Sequence, residues 1–278
     1  IRVYGTPGEE GGENGSAKGS FVKKGFFDDV DFALGVHPGY EHRMTKAYLA
    51  NDPVDIEFYG KSSHAAAAPE KGINALDAVI QVYNASNALR QHLTDDVRIH
   101  GVITNGGAAA NVVPDYASAR FYLRAKTRPT LDSLYSKFEN IVKGAALQTG
   151  ASYKFGLFQN RVDNVVQTPL FDKVYEKNLN KYGEFITAET SDQSMGSSDV
   201  GNVSQVIPTI QPSIKISDTY VADHSIEFRE AAKSELGLKS IGLGAKVLSN
   251  TALDLILDPD LLEKIKEQHR ENVKNQDN

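Results

Sequence analysis

The 278-residue chain contains no cysteine, which excludes disulfides, thiolate nucleophiles and thiolate metal ligands within it. It has no dense basic stripe either. Thirty Lys and Arg stand against 36 Asp and Glu, a formal charge of -6, which disfavours nucleic acid as a partner. No window approaches the roughly twenty apolar residues of a membrane helix, because Lys, Asp or Asn interrupts the most apolar stretches, so no membrane partner is expected. The glycine-rich run at Gly11 has neither the Gly-x-x-x-x-Gly-Lys-Ser/Thr pattern of a phosphate loop nor the Gly-x-Gly-x-x-Gly dinucleotide spacing. No Gly-x-Ser-x-Gly elbow presents a nucleophilic serine. Ile1 to Tyr4 reads as a buried strand, not as the charged lead of a secretory signal, and a cytoplasmic location is expected.

What remains is an ordinary globular composition, 40% hydrophobic and 9% aromatic, on a chain long enough for one large domain or two ordinary ones. The turn Gly5-Thr6-Pro7-Gly8 precedes Glu9 and Glu10, a short helix is expected within 16–25, and the apolar strand Phe32 to Val36 runs into His37. From Asp52 the pattern changes. Val54, Ile56 and Phe58 alternate with polar residues, a helix follows over 73–93, strands over 97–104 and 115–126, a second helix over 131–147 and a strand over 152–159. This β-α-β-β-α-β order predicts helices over one face of an antiparallel sheet. After residue 163 an open α/β pattern resumes, with a helix over 169–182, a polar loop over 191–201, short strands over 203–210 and 214–216, and helices over 228–234, 238–252 and 259–273. The expected fold is thus α/β, with an open-sheet domain of residues 1–51 and 163–278 and an inserted α+β domain of residues 52–162.

Two adjacent carboxylates in a loop point in different directions, so one of Glu9 and Glu10 can hold a metal while the other handles a proton. The alternative is a solvated pair. His37, at a strand end, and His224, before a helix, are candidate zinc or manganese ligands; the alternatives are a structural or exposed His37 and a His224 that caps that helix. His64, on a loop of the inserted domain, can donate to an oxyanion formed during amide attack, or be a loop histidine fixed by the nearby serines. Asn111 and Arg124 can bind an amide or a carboxylate, or serve turn formation and solvation.

Five motifs occur in order: Gly5-Thr6-Pro7-Gly8-Glu9-Glu10-Gly11-Gly12, Gly35-Val36-His37-Pro38-Gly39, Gly60-Lys61-Ser62-Ser63-His64-Ala65-Ala66, Asn111-Val112-Val113-Pro114-Asp115, and Ala222-Asp223-His224-Ser225-Ile226-Glu227-Phe228. With them the chain resembles the aminoacylase/carboxypeptidase family of metallopeptidases. Within that family it is most similar to the amidohydrolase branch that contains aminobenzoyl-glutamate hydrolase, auxin-conjugate hydrolases and aminoacylase-like dipeptidases, a placement strengthened by Ser198 to Pro208. The resemblance implies Glu9 as general base and acid, and Glu10, His37 and His224 as metal ligands. It further implies His64 as a lid-domain residue that completes a neighbouring subunit's site, and Asn111 and Arg124 as substrate-orienting residues. A homodimer through the lid domain and a small amide or dipeptide substrate follow from it. Family members carry an earlier Cys-x-His or His-x-Asp type ligand motif, and none precedes Glu9. The resemblance therefore implies an N-terminally incomplete catalytic domain, with the family's two ions reduced to one or none. The alternatives are a non-catalytic binding or dimerisation protein and an inactive fragment of such a hydrolase.

Overall fold

The computed structural model describes residues 1–12, 15–187 and 196–277. The chain opens with α1 (Ala17–Lys23), β1 (Ala33–Leu34) and β2 (His37–Gly39). There follow β3 (Ala50–Tyr59), α2 (Ala75–Arg90), β4 (Arg98–Asn105), β5 (Tyr116–Ala125), α3 (Arg128–Thr149) and β6 (Ser152–Leu157). It closes with α4 (Pro169–Asn180), α5 (Val200–Ser204), β7 (Thr209–Ile210), β8 (Ser213–Lys215), α6 (Ile226–Ala232), α7 (Glu235–Leu257) and α8 (Pro259–Lys274). Contacts divide these into two units, one of Ile1–Ser20 with Leu49–Asp163 and one of Phe21–Tyr48 with Asn164–Asn278.

In the first unit the expected β-α-β-β-α-β order folds as a four-stranded antiparallel sheet in the order β4-β5-β3-β6. Strand periodicity places Ala117, Ala119, Phe121, Leu123 and Ala125 of β5 on one face, where all are buried. Val54, Ile56 and Phe58 of β3 join them through the register Val54–Phe121, Ile56–Ala119 and Phe58–Ala117. Onto this face α2 and α3 pack Val79, Val82, Leu131, Leu134, Phe138 and Val142. Each such side chain, fully withdrawn from water, contributes about 1.5–3 kcal/mol. The helix starts are specified locally: Asn74 Oδ1 accepts from the Leu76 and Asp77 amides at 2.9 and 3.2 Å, and Thr127 caps α3, which ends at Gly150 with φ 78°. Asn51 and Val162 exchange two backbone hydrogen bonds of 2.8 and 3.0 Å. Asp52, fully buried, is held by Arg128 at 2.8 Å and Arg161 at 3.5 Å, and Arg128 also grips Asp163 at 2.6 Å.

In the second unit β1 pairs with β7 and β2 with β8, both parallel. Phe171, Tyr175 and Leu179 of α4, Val247 and Leu255 of α7, and Ile265 of α8 enclose Ile210 in a separate core. Against expectation, α7 is long and apolar enough to span a membrane by length and composition, although Gly237, Ser240, Gly244, Val247, Thr251 and Leu255 are buried within this unit.

Three local expectations are corrected. Ile1 and Val3 are exposed and no strand forms over Ile1 to Tyr4. An alternating apolar run becomes a strand only beside a neighbour that takes its backbone hydrogen bonds. The strand expected over 203–210 shrinks to Thr209–Ile210, because Val203 and Ser204 belong to α5, where the Ser204 hydroxyl donates to Gly201 O at 2.7 Å and accepts from the Val166 amide at 2.9 Å. His37 lies inside β2 instead of after the strand, its amide bonded to Pro212 O at 2.9 Å. Most of the polar loop expected over 191–201 lies outside the described residues.

Candidate active site

Glu9 and Glu10 occupy the two central positions of a turn closed by the Gly11 amide on Gly8 O at 3.3 Å. Gly8, Gly11 and Gly12 have φ of 72°, 100° and 100°, which glycine adopts without strain, so the carboxylates sit on a tightly bent loop. Glu9 is half-buried and Glu10 exposed. The same Gly8 O accepts from the Ser16 amide at 2.6 Å, and Asn160 Nδ2 donates to Gly15 O and Ser16 O at 3.2 Å, which ties this loop to the segment that follows β6.

His64 is placed by a ladder that continues the β3–β5 pairing past its last strand residues. The Gly60 amide donates to Asp115 O at 2.8 Å, Val113 to Ser63 O at 3.0 Å and Ala65 to Asn111 O at 3.0 Å. His64 and Asn111 are thereby brought together at one end of the sheet. Gly60, at the start of this ladder, is also packed against the segment before α2: a Cβ there would lie 2.0 Å from Ile73 O. His64 Nδ1 accepts from the Ala66 and Ala67 amides at 3.2 and 3.1 Å. In the neutral ring this puts the proton on Nε2, so the exposed edge of the imidazole is a hydrogen-bond donor.

Arg124 is not brought to that end. It lies eight residues along β5 from Tyr116, where the ladder to Asn111 begins, a separation of roughly 26 Å at the rise of a strand. Its guanidinium is pulled below its ordinary value by burial, and its Cζ lies 5.6 Å from the centre of the Tyr122 ring.

The remaining ligand candidates belong to the second unit, whereas Glu10 belongs to the first. His37 Nδ1 lies 2.7 Å from Pro38 O, an acceptor, so in the neutral ring Nδ1 carries the proton and Nε2 the lone pair that a metal requires. His224 sits in a turn with φ 61°, an uncommon conformation for a residue with a side chain. Ser225, not His224, caps α6, accepting from the Phe228 amide at 3.0 Å and donating to Ala222 O at 2.7 Å. Within neither unit do three His, Asp or Glu side chains among the described residues gather into a metal-holding group. Two histidines without an assigned role are buried in the second unit: His42, near Glu184 at 3.2 Å, and His269, on Ser204 O at 2.7 Å, both pushed down by burial.

Residues 53–150 match the family model described as a peptidase dimerisation domain. Over 97% of its length the chain is 36% identical to the Xaa-Arg dipeptidase of Mus musculus and 35% identical to that of Homo sapiens, covering 62% of each. It is 28% identical to a p-aminobenzoyl-glutamate hydrolase subunit of Escherichia coli over 98% of its length and 67% of the relative's. The chain is a homologue of these amidohydrolases. Its fold agrees, with a TM-score of 0.65 to the crystal structure of an aminobenzoyl-glutamate utilization protein from Klebsiella pneumoniae, at 19% identity over 84% of this chain and 57% of that one. The expected resemblance to these amidohydrolases is thus borne out, as is an α/β fold with a dimerisation domain. The chain spans about three fifths of the length of the dipeptidases it matches.

Proposed function

We propose that this protein hydrolyses an amide bond in an N-acyl amino acid, an aminobenzoyl-glutamate-like conjugate or a dipeptide, with a divalent zinc or manganese ion as cofactor. The functional partition carried into this reading is a catalytic domain of residues 1–51 and 163–278 and a lid/dimerisation domain of residues 52–162. Glu10, His37 and His224 would hold the ion; one carboxylate and two imidazoles suit either metal, and the tautomer of His37 leaves Nε2 for ligation. When bound, the ion would polarise the amide carbonyl and acidify a water. Glu9 accepts the proton of the attacking water and returns it to the departing amine. His64 donates from Nε2 to the oxyanion, Asn111 orients the amide, and Arg124 receives the substrate carboxylate.

The observation that carries this reading is the ladder that sets His64 opposite Val112, next to Asn111, with Nε2 of the neutral His64 ring left as the donor. The same geometry supports a homodimer. A dipeptide cannot bridge roughly 26 Å of strand, so His64 and Asn111 of one copy serve the substrate held by Arg124 of the other. The dimerisation-domain match over 53–150 supports a two-fold contact made by this unit. A cytoplasmic setting belongs to the same proposal and is checked by cell fractionation.

The test begins with the stoichiometry of zinc or manganese on the purified chain, lost on His37→Ala or His224→Ala, together with amide turnover abolished by Glu9→Gln. Equal mixing of inactive His64→Ala and Arg124→Gln chains should restore about a quarter of wild-type turnover, since half the dimers are mixed and each carries one intact site. No restoration by mixed dimers sinks the shared site. A folded dimer that binds no metal and turns nothing over replaces the hydrolase with a non-catalytic binding protein.

A further inference from the structure

On the sheet face turned away from α2 and α3, the register aligns Pro53, Tyr122 and His100 across β3, β5 and β4, with Asn51, Arg124 and Arg98 in the adjacent row. The His100 and Tyr122 rings stack with centroids 5.7 Å apart and planes 23° from parallel. On its other side Tyr122 meets Phe158 edge to face at 5.7 Å. Phe158 is itself covered by the Arg120 guanidinium, 3.8 Å from the ring centre, which Asp55 holds in a two-pronged pair of 2.7 and 2.8 Å. A continuous row of rings therefore runs from β4 over β5 to the bend after β6, clamped at one end by Arg120 and reaching Arg124 through Tyr122. Burial, followed by the charges of Arg124 and Arg90, pushes His100 toward its neutral form, so it braces Tyr122 without repelling Arg124.

We propose that the row His100–Tyr122–Phe158 positions Arg124: the Tyr122 ring sets the plane of the guanidinium so that its fork meets a substrate carboxylate already oriented. This rests on the reading of Arg124 as the carboxylate-binding residue. Tyr122 is a positioning residue, since it acts through Arg124 and touches no reacting atom. A guanidinium held over a ring loses little freedom when it binds, so removing the ring weakens binding of carboxylate substrates and leaves the chemical step alone.

Two readouts on the intact protein test this. The first is the order parameter of the Arg124 Nε–Hε group by NMR relaxation, which needs no substrate. It is expected near the value of rigid backbone, about 0.85, in the wild type and in Tyr122→Phe, and below about 0.6 in Tyr122→Leu, with His100→Ala between them. The second is KM for a carboxylate substrate relative to its carboxamide analogue, expected to rise about five-fold in Tyr122→Leu with kcat unchanged and to be restored in Tyr122→Phe. A mobile Arg124 in the wild type, or an order parameter unaltered by Tyr122→Leu, overturns the proposal. Carboxylate preference retained in Arg124→Gln instead overturns the reading of Arg124 beneath it. Should Tyr122→Leu fail to fold, the wild-type order parameter and the His100→Ala variant on the exposed edge strand decide the question.

Discussion

Asp172 is buried in the helical core of the second unit, where its Oδ1 accepts from the Thr45 amide at 3.0 Å and the Thr45 hydroxyl at 2.7 Å. Burial pushes its carboxyl from 3.8 to about 6, against the opposing pull of those two hydrogen bonds. That difference corresponds to roughly 3 kcal/mol. Below 3.8 the carboxyl is protonated in both folded and unfolded chains. Between 3.8 and about 6 the unfolded chain ionises while the folded one keeps its proton, so stability falls as pH rises, and above about 6 the full penalty stands. Asp172→Asn keeps an oxygen acceptor for Thr45 and removes the ionisation. Its new amide donor faces a core in which the Tyr175 hydroxyl is buried without a hydrogen-bond partner among the described residues and is pushed up by burial and by Asp172 itself. The variant should therefore gain about 3 kcal/mol on the wild type between pH 4 and pH 8. Urea unfolding at several pH values, followed by circular dichroism and by tyrosine emission, measures this; the chain has twelve tyrosines and no tryptophan. A stability difference that stays flat from pH 4 to pH 8 would refute the argument, whatever its size.

Arg128→Met should destabilise the first unit by about 3–5 kcal/mol in chemical denaturation, since the fully buried Asp52 is then left to Arg161 at 3.5 Å and the 2.6 Å contact to Asp163 is lost. Gly60→Ala places a methyl 2.0 Å from Ile73 O and should cost about 1–3 kcal/mol, with turnover falling as the His64 ladder shifts. Gly144→Ala, in α3 with no described atom of another element within 4 Å of the new methyl, should instead stabilise by about 0.5–1 kcal/mol, visible as a raised Tm. Removing the α2 cap with Asn74→Ala should cost about 1 kcal/mol and speed amide exchange at Leu76 and Asp77.

The four-stranded sheet with its two helices was legible because its signals are local. The alternation Val54, Ile56, Phe58 and the run Tyr116 to Ala125 have the two-residue period of a half-buried strand, and Asn74, Thr127 and Gly150 punctuate the helices between them. Ile1 to Tyr4 has similar apolar content, yet a strand is a property of a pair, and residue type alone does not supply the neighbour. His64 and Asn111 were picked out one by one, but their meeting depends on a ladder joining residues about fifty positions apart, and the tautomer of His64 depends on two alanine amides. Asp172 passed unnoticed because acidic residues within an amphipathic helix usually face water. Its place above Tyr175 and Leu179 was the available signal, since positions three and seven further on share its face. His100 passed unnoticed for a different reason: on an edge strand its meaning comes only from the rings that the register sets beside it.

The doubly hydrogen-bonded pair Asn51–Val162 stands near the two ends of the long segment Leu49–Asp163 of the first unit. More than a hundred residues therefore begin and end at neighbouring points, as in a large hairpin. Such a segment adds little closure entropy beyond that of its own folding, because its ends are joined by its own hydrogen bonds. The two ends of the segment are in this sense fastened to each other, one strand-spacing apart.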